Sequence, residues 1–159
     1  MSKFVTIKIE TEMKETTKKE KLAIVKRGDF AYNYIDKEGK LLLKEWFRYL
    51  SSFYNGFAVV KRANYEWNFI NKQGKLLSNE WFKSVDYFND DGFARVQRKD
   101  ELWNFINKDG KIISNEWFRY VDYFQEGFAR VQRKDKWNFI DKKGNYLSDE
   151  WFYSVEDFQ

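Results

Sequence analysis

One motif, recurring in one phase, constrains this chain more than anything else in it. Glu-Trp-Phe occurs at 45–47, 80–82, 116–118 and 150–152, with spacings of 35, 36 and 34 residues. Asn-(Phe/Tyr)-Ile recurs at 33–35, 68–70, 104–106 and 138–140 with the same spacings. Gly-Phe-Ala occurs at 56–58, 92–94 and 127–129, and Gly39, Gly74, Gly110 and Gly144 keep a fixed place in the same register. Landmarks in one phase at such a period identify tandem repeats, each too small to bury a core alone. A chain of this kind folds by stacking each unit on its neighbours or by closing the units into a ring.

The unit that begins at Gly92 shows what each repeat contains. Phe93-Ala-Arg-Val-Gln-Arg98 alternates and reads as a strand, with Ala94, Val96 and Arg98 on one side. Lys99-Asp-Glu101 turns the chain. Trp103-Asn-Phe-Ile-Asn107 reads as a second strand, rich in the aromatic and β-branched residues that pleated surfaces favour. Lys108-Asp-Gly-Lys111 reads as a hairpin loop in which Gly110 supplies a left-handed position. Ile112-Ile-Ser114 opens a third strand, Asn115-Glu-Trp-Phe118 bends it, and Tyr120-Val-Asp-Tyr-Phe124 makes a short fourth segment. The pattern predicts an all-β chain of four antiparallel meanders.

Leu22-Ala-Ile-Val-Lys-Arg27 aligns with Phe57-Ala-Val-Val-Lys-Arg62, so the repeat domain is expected to span residues 22–159. Residues 1–21 then form an N-terminal extension, with an edge strand at 4–9 and a charged connector at 11–21. The first unit starts with the strand that the last unit lacks, a phase that would permit a small closed four-bladed ring. About 35 residues is short for a four-stranded blade, however. The expected architecture is an open twisted stack.

Composition removes most chemistry. The chain has no cysteine and no histidine, so it cannot build a disulfide, a thiol nucleophile, a Ser-His dyad or a usual zinc site. It carries no phosphate-binding loop, dinucleotide fingerprint or calcium loop. The expectation is a non-enzymatic protein with no cofactor and no metal. The longest uncharged run, Tyr49 to Val60, falls far short of a membrane span. The first ten residues interrupt their apolar positions with charge, unlike a signal peptide. A cytoplasmic location with no membrane partner is therefore expected. The net charge of +4 would suit an acidic partner, but 29 basic residues face 25 acidic ones, so the field is mixed.

Four sets of residues invite a role. Glu45, Glu80, Glu116 and Glu150, with Asp86, Asp122 and Glu156, supply carboxylate pairs of the kind that hydrolyse sugars. They recur in every unit, whereas an active site is assembled once, so they read as hydrogen bonds or ion pairs that fix the bend. Arg27, Arg62, Arg98 and Arg133 share one repeat position; a row of guanidinium groups can track phosphates, or each can pair with Glu and lie on Trp. The structural reading is preferred. Asn33, Asn68, Asn104 and Asn138 sit inside strands, where Asn is disfavoured, and read as side chains that satisfy backbone at the bend. Arg95 and Arg130, each followed two residues later by Gln97 or Gln132, are present in only half the units, because Ile24 and Val59 stand at the Arg position elsewhere. With Arg119, Tyr120 and Tyr123 they form the expected contact face.

Laid out in this way, the unit resembles the bacterial WG-repeat family. Lys136-Trp-Asn-Phe-Ile-Asp-Lys-Lys-Gly144 and Gly127-Phe-Ala-Arg-Val131 match its strand, turn and following strand, and the resemblance covers residues 22–159. Asn replaces the family's Gly after the aromatic residue in all four units, and Asn-Glu-Trp-Phe replaces its Pro-Pro-x-Tyr stretch. The resemblance implies a β-repeat architecture with an interaction role and no catalytic residues. The function expected is an interaction or scaffold module for another protein. The alternative is a nucleic-acid or nucleotide-binding module that uses the repeated Arg and aromatic residues.

Overall fold

The computed structural model describes residues 21–159. The expected edge strand at 4–9 and all but the last residue of the connector lie outside the described residues. Every regular element among the described residues is a β-strand. The first unit contributes β1 (Ala23–Arg27) and β2 (Ala31–Ile35). The second contributes β3 (Tyr49–Leu50), β4 (Phe57–Lys61) and β5 (Trp67–Asn71). β6 (Ser84–Val85), β7 (Phe93–Gln97) and β8 (Trp103–Asn107) form the third, and β9 (Tyr120–Val121), β10 (Phe128–Arg133) and β11 (Lys136–Asp141) the fourth. The result is four small antiparallel sheets, none closed into a barrel.

The Glu-Trp-Phe segments stitch these sheets together. Phe47 exchanges two backbone hydrogen bonds with Tyr32 in β2, at 2.7 and 3.0 Å. Two residues later the same segment pairs with β4, Tyr49 opposite Lys61 and Leu50 opposite Val60. Phe82 with Trp67 and Phe118 with Trp103 repeat the arrangement. Each segment therefore leaves one sheet as it enters the next.

The meander is thinner than its sequence suggests. Ile112-Ile-Ser114, expected to open a third strand, makes a single bridge from Ile112 to Ile106. Asn104 stands in for the missing ladder: its Nδ2 donates to the carbonyls of Ser114 (2.8 Å) and Glu116 (3.0 Å) and holds the bent segment beside β8 until Phe118 pairs with Trp103. Asn68 does the same to Ser78 (2.8 Å) and Glu80 (3.0 Å), and Asn138 to Ser148 (2.8 Å) and Glu150 (3.1 Å). Asn33 donates to Leu43 (3.0 Å) and Glu45 (3.3 Å). All four Asn residues are fully buried, where an unpaired amide would be costly.

The core lies at the joints between units. One cluster packs Tyr34, Leu43 and Phe47 against Leu50, Val60 and Ile70; a second packs Phe69 and Phe82 against Phe88, Val96 and Ile106; a third packs Phe105 and Phe118 against Phe124, Val131 and Ile140. β5 and β8 are consequently buried at three successive residues, on both faces, while β1 is almost wholly exposed. β1 hydrogen-bonds to β2 alone, and no strand of the last unit joins it among the described residues. The stack is open, with each unit touching only its neighbours. No helix among the described residues is long and apolar enough to cross a membrane.

Candidate interaction surface

The turn that joins the two long strands of each hairpin defines one edge of the stack. Arg27, Arg62, Arg98 and Arg133 stand where that turn begins, and the Trp of the following bend lies beneath each one. Arg27 sits 4.0 Å from the ring centroid of Trp46, Arg62 4.2 Å from Trp81, Arg98 4.5 Å from Trp117 and Arg133 4.1 Å from Trp151. A cation over an indole face gains about 0.5–1 kcal/mol where water still reaches it. The turn needs a left-handed residue, filled by Phe30 (φ 58°), Tyr65 (φ 70°), Glu101 (φ 71°) and Lys134 (φ 55°) in the successive units. All four are exposed.

Carboxylates occupy much of this edge. Glu66 accepts from Arg62 and from Lys99 at 2.6 Å, Asp100 from Arg98 at 2.5 Å, and Glu101 from Lys83 at 2.5 Å. Hydrogen bonds from Lys99, then Arg62 and Asn64, hold the Glu66 carboxyl down to about 2. Arg98 lowers Asp100 and Lys83 lowers Glu101 in the same way. Between the turns open clefts of about 600 and 620 Å³, the first beside Trp81 and the second beside Trp103 and Trp117, and one of about 410 Å³ follows beside Trp151.

The candidate residues separate into two groups. Gln97 and Arg119 line the second cleft. Arg95 and Arg130 are instead engaged within the stack. Arg95 donates to Asp86 (2.6 Å), to the Val121 carbonyl (3.2 Å) and to the Tyr123 hydroxyl (2.7 Å). Arg130 pairs with Asp122 and, at 3.3 Å, with Asp157. Burial works against the charge on Asp122, yet the hydrogen bond from Arg130 leaves its carboxyl below the ordinary value. Tyr120 packs edge-on to Trp137 with centroids 5.6 Å apart, and Gln132 pairs with both in β10.

At the bend, the structure holds the glutamate backbone and not the glutamate side chain. Asn side chains take the carbonyls of Glu45, Glu80, Glu116 and Glu150. Of these four, Glu116 is the one whose carboxylate has side-chain partners among the described residues, Arg133 at 3.3 Å and the Tyr146 hydroxyl at 2.5 Å. Sequence reasoning missed Lys134 and the meeting of Trp103 and Trp117 on one cleft. A signal existed: the residues at the Arg95 position and at the Asp86 position change together, from Val59 with Ser51 to Arg with Asp.

A family model described as WG containing repeat matches residues 34–67, 67–103 and 105–137. The chain belongs to the WG-repeat family. Asn68 lies inside the matched segments, and Asn33, Asn104 and Asn138 lie directly beside their ends. No curated protein matches the chain. Among solved structures, the WD40 β-propeller domain of Doa1 is similar at 13 % identity and TM-score 0.38, over 79 % of this chain and 49 % of that one. A protein of unknown function from Bacteroides caccae is similar at 14 % identity and TM-score 0.33, over 80 % and 56 %. The WG-repeat chain spans about half the length of each.

Proposed function

We propose that this WG-repeat domain is a non-enzymatic interaction module that binds a protein partner along its Arg-Trp edge. The observation that supports this reading is the row of clefts between successive turns, where half-exposed indole faces alternate with charges of both signs. Protein interfaces combine aromatic residues, Arg and a polar rim in this way, and stacked repeats extend such a surface across several units. Phosphate tracking fits the same edge less well. Its guanidinium groups already lie on Trp, and Glu66, Asp100 and Glu101 would repel a polyanion.

Crosslinking tests the reading. A photoreactive amino acid placed at Asp135, exposed in the turn of the fourth unit, should capture protein from host extract. The same group at Lys143, exposed at the opposite end of the strands, should not. Capture of nucleic acid at Asp135, or equal capture of protein at both sites, would reject it.

A further inference from the structure

The joints of the stack share one geometry but not one charge balance. Three residues after the bend glutamate stands a cation, Arg48, Lys83 or Arg119, and it meets the left-handed residue of the next unit's turn. At the first joint Arg48 lies 4.8 Å from the ring centroid of Tyr65. At the second Lys83 pairs with Glu101 at 2.5 Å. At the third the turn is one residue shorter and its left-handed residue is Lys134, which lines the same cleft as Arg119. Each earlier joint satisfies its cation within the protein. The third leaves two cations on one cleft.

Neither finds relief nearby. Asp100 and Glu101, on the rim of this cleft, are taken by Arg98 and Lys83, and Glu116 is engaged by Arg133 and Tyr146. Among the described residues no carboxylate lies within ion-pair distance of Arg119 or Lys134. The preceding cleft is balanced, with Arg62, Arg98 and Lys99 facing Glu66, Glu80 and Asp100. Like charges placed together oppose folding, and they become favourable when an anion sits between them. Concave walls of low dielectric strengthen that attraction.

We infer that the cleft between the third and fourth units binds an acidic segment of the protein partner, which rests on the interaction reading above. Carboxylates of the segment sit on Arg119 and Lys134, and its apolar side chains lie against Trp103, Trp117 and Leu102. The surrounding acidic groups favour a peptide over a nucleic-acid strand. A peptide can place one or two carboxylates in the cleft and continue uncharged, whereas a strand carries charge at each nucleotide toward Glu80 and Glu66.

Fluorescence anisotropy with a short fluorescein-labelled peptide of alternating leucine and glutamate tests this at low salt. The intact chain should bind it saturably and more tightly than the leucine-lysine counterpart. Lys134→Glu replaces one of the two cations on the cleft by a carboxylate, so it should fold about as stably as the parent while weakening the peptide at least about tenfold. Arg119→Gln should also weaken it, and Lys143→Glu, at the far end of the strands, should not. Equal affinity for the acidic and basic peptides, parental affinity in Lys134→Glu, or an equal loss in Lys143→Glu would overturn the inference. If any of these occurs while the Asp135 crosslinker still captures protein, the acidic chemistry fails and the interaction surface stands. If that crosslinker captures nucleic acid, both fall.

Discussion

The guanidinium of Arg95 lies 3.8 Å from the ring centroid of Tyr123, one unit further along the stack, while its Nε donates to Asp86 at 2.6 Å. Tyr123 completes the triangle by donating to Asp86 at 3.1 Å. This cluster bolts the third unit to the fourth, and the preceding unit carries the uncharged Ser51 and Val59 in the places of Asp86 and Arg95. A partly buried charge without its partner is costly. Arg95→Val alone should therefore lower stability by about 1–2 kcal/mol. The double variant Arg95→Val with Asp86→Ser should recover most of that loss, as read from urea midpoints in a double-mutant cycle.

Asn104 offers a second test, because its amide anchors a bend that is wholly inside the stack. Asn104→Leu fits the volume and leaves the carbonyls of Ser114 and Glu116 without their donor. The expected cost is about 2–4 kcal/mol, the sum of two unsatisfied acceptors. A loss under about 1 kcal/mol in urea unfolding would mean that water replaces the amide.

Two glycines with the same backbone conformation should respond differently. Gly39 and Gly110 both have left-handed φ, at +83° and +79°. A Cβ at Gly39 meets nothing within 4 Å, whereas one at Gly110 would fall on the carbonyl oxygen of Leu77 in the preceding unit. Gly39→Ala should cost about 1 kcal/mol from backbone strain alone. Gly110→Ala adds overpacking against backbone and should cost about 3 kcal/mol or more. Thermal unfolding of the two variants side by side checks the difference.

Acid should weaken the second joint first. Glu66 is held down to about 2 by Lys99, Arg62 and Asn64, against about 4.3 in an unfolded chain. A depressed carboxyl stabilises the fold fully above its unfolded value, and that contribution disappears as pH falls from about 4.3 toward 2. Glu66→Gln should therefore be less stable than the parent at pH 7 and nearly equal to it at pH 2. A pH series of unfolding midpoints that stays parallel for the two proteins would contradict this.

The open stack makes a prediction about truncation. β1 pairs with β2 alone, and no residue of β1 belongs to the three core clusters. Removal of residues 1–28 should leave most of the β signal in circular dichroism, since stability in such arrays is nearly additive between neighbours. The newly exposed β2 edge should promote self-association. Complete collapse of the truncated protein would argue for closure.

Sequence alone determined the repeat, the two long strands of each unit and the glycine turns. These depend on residues a few positions apart, so period-two alternation around Trp103-Asn-Phe-Ile-Asn107 and the left-handed demand at Gly110 are visible without a structure. The third strand's interruption was not legible, because Asn104 reaches ten and twelve residues ahead to take the carbonyls of Ser114 and Glu116 in place of a backbone ladder. Nor was the fate of the charges. Arg95 and Arg119 are equally polar in the sequence, yet stacking brings Asp86 and Tyr123 to the first and only Lys134 to the second. Those neighbours come from separations of 9 residues within a unit and of 28 and 15 residues between units. The offset between units sets which side chains meet, and it arises from packing Phe105 and Phe118 against Phe124, Val131 and Ile140. Charge pairing across a joint follows that packing, and local pattern carries no record of it.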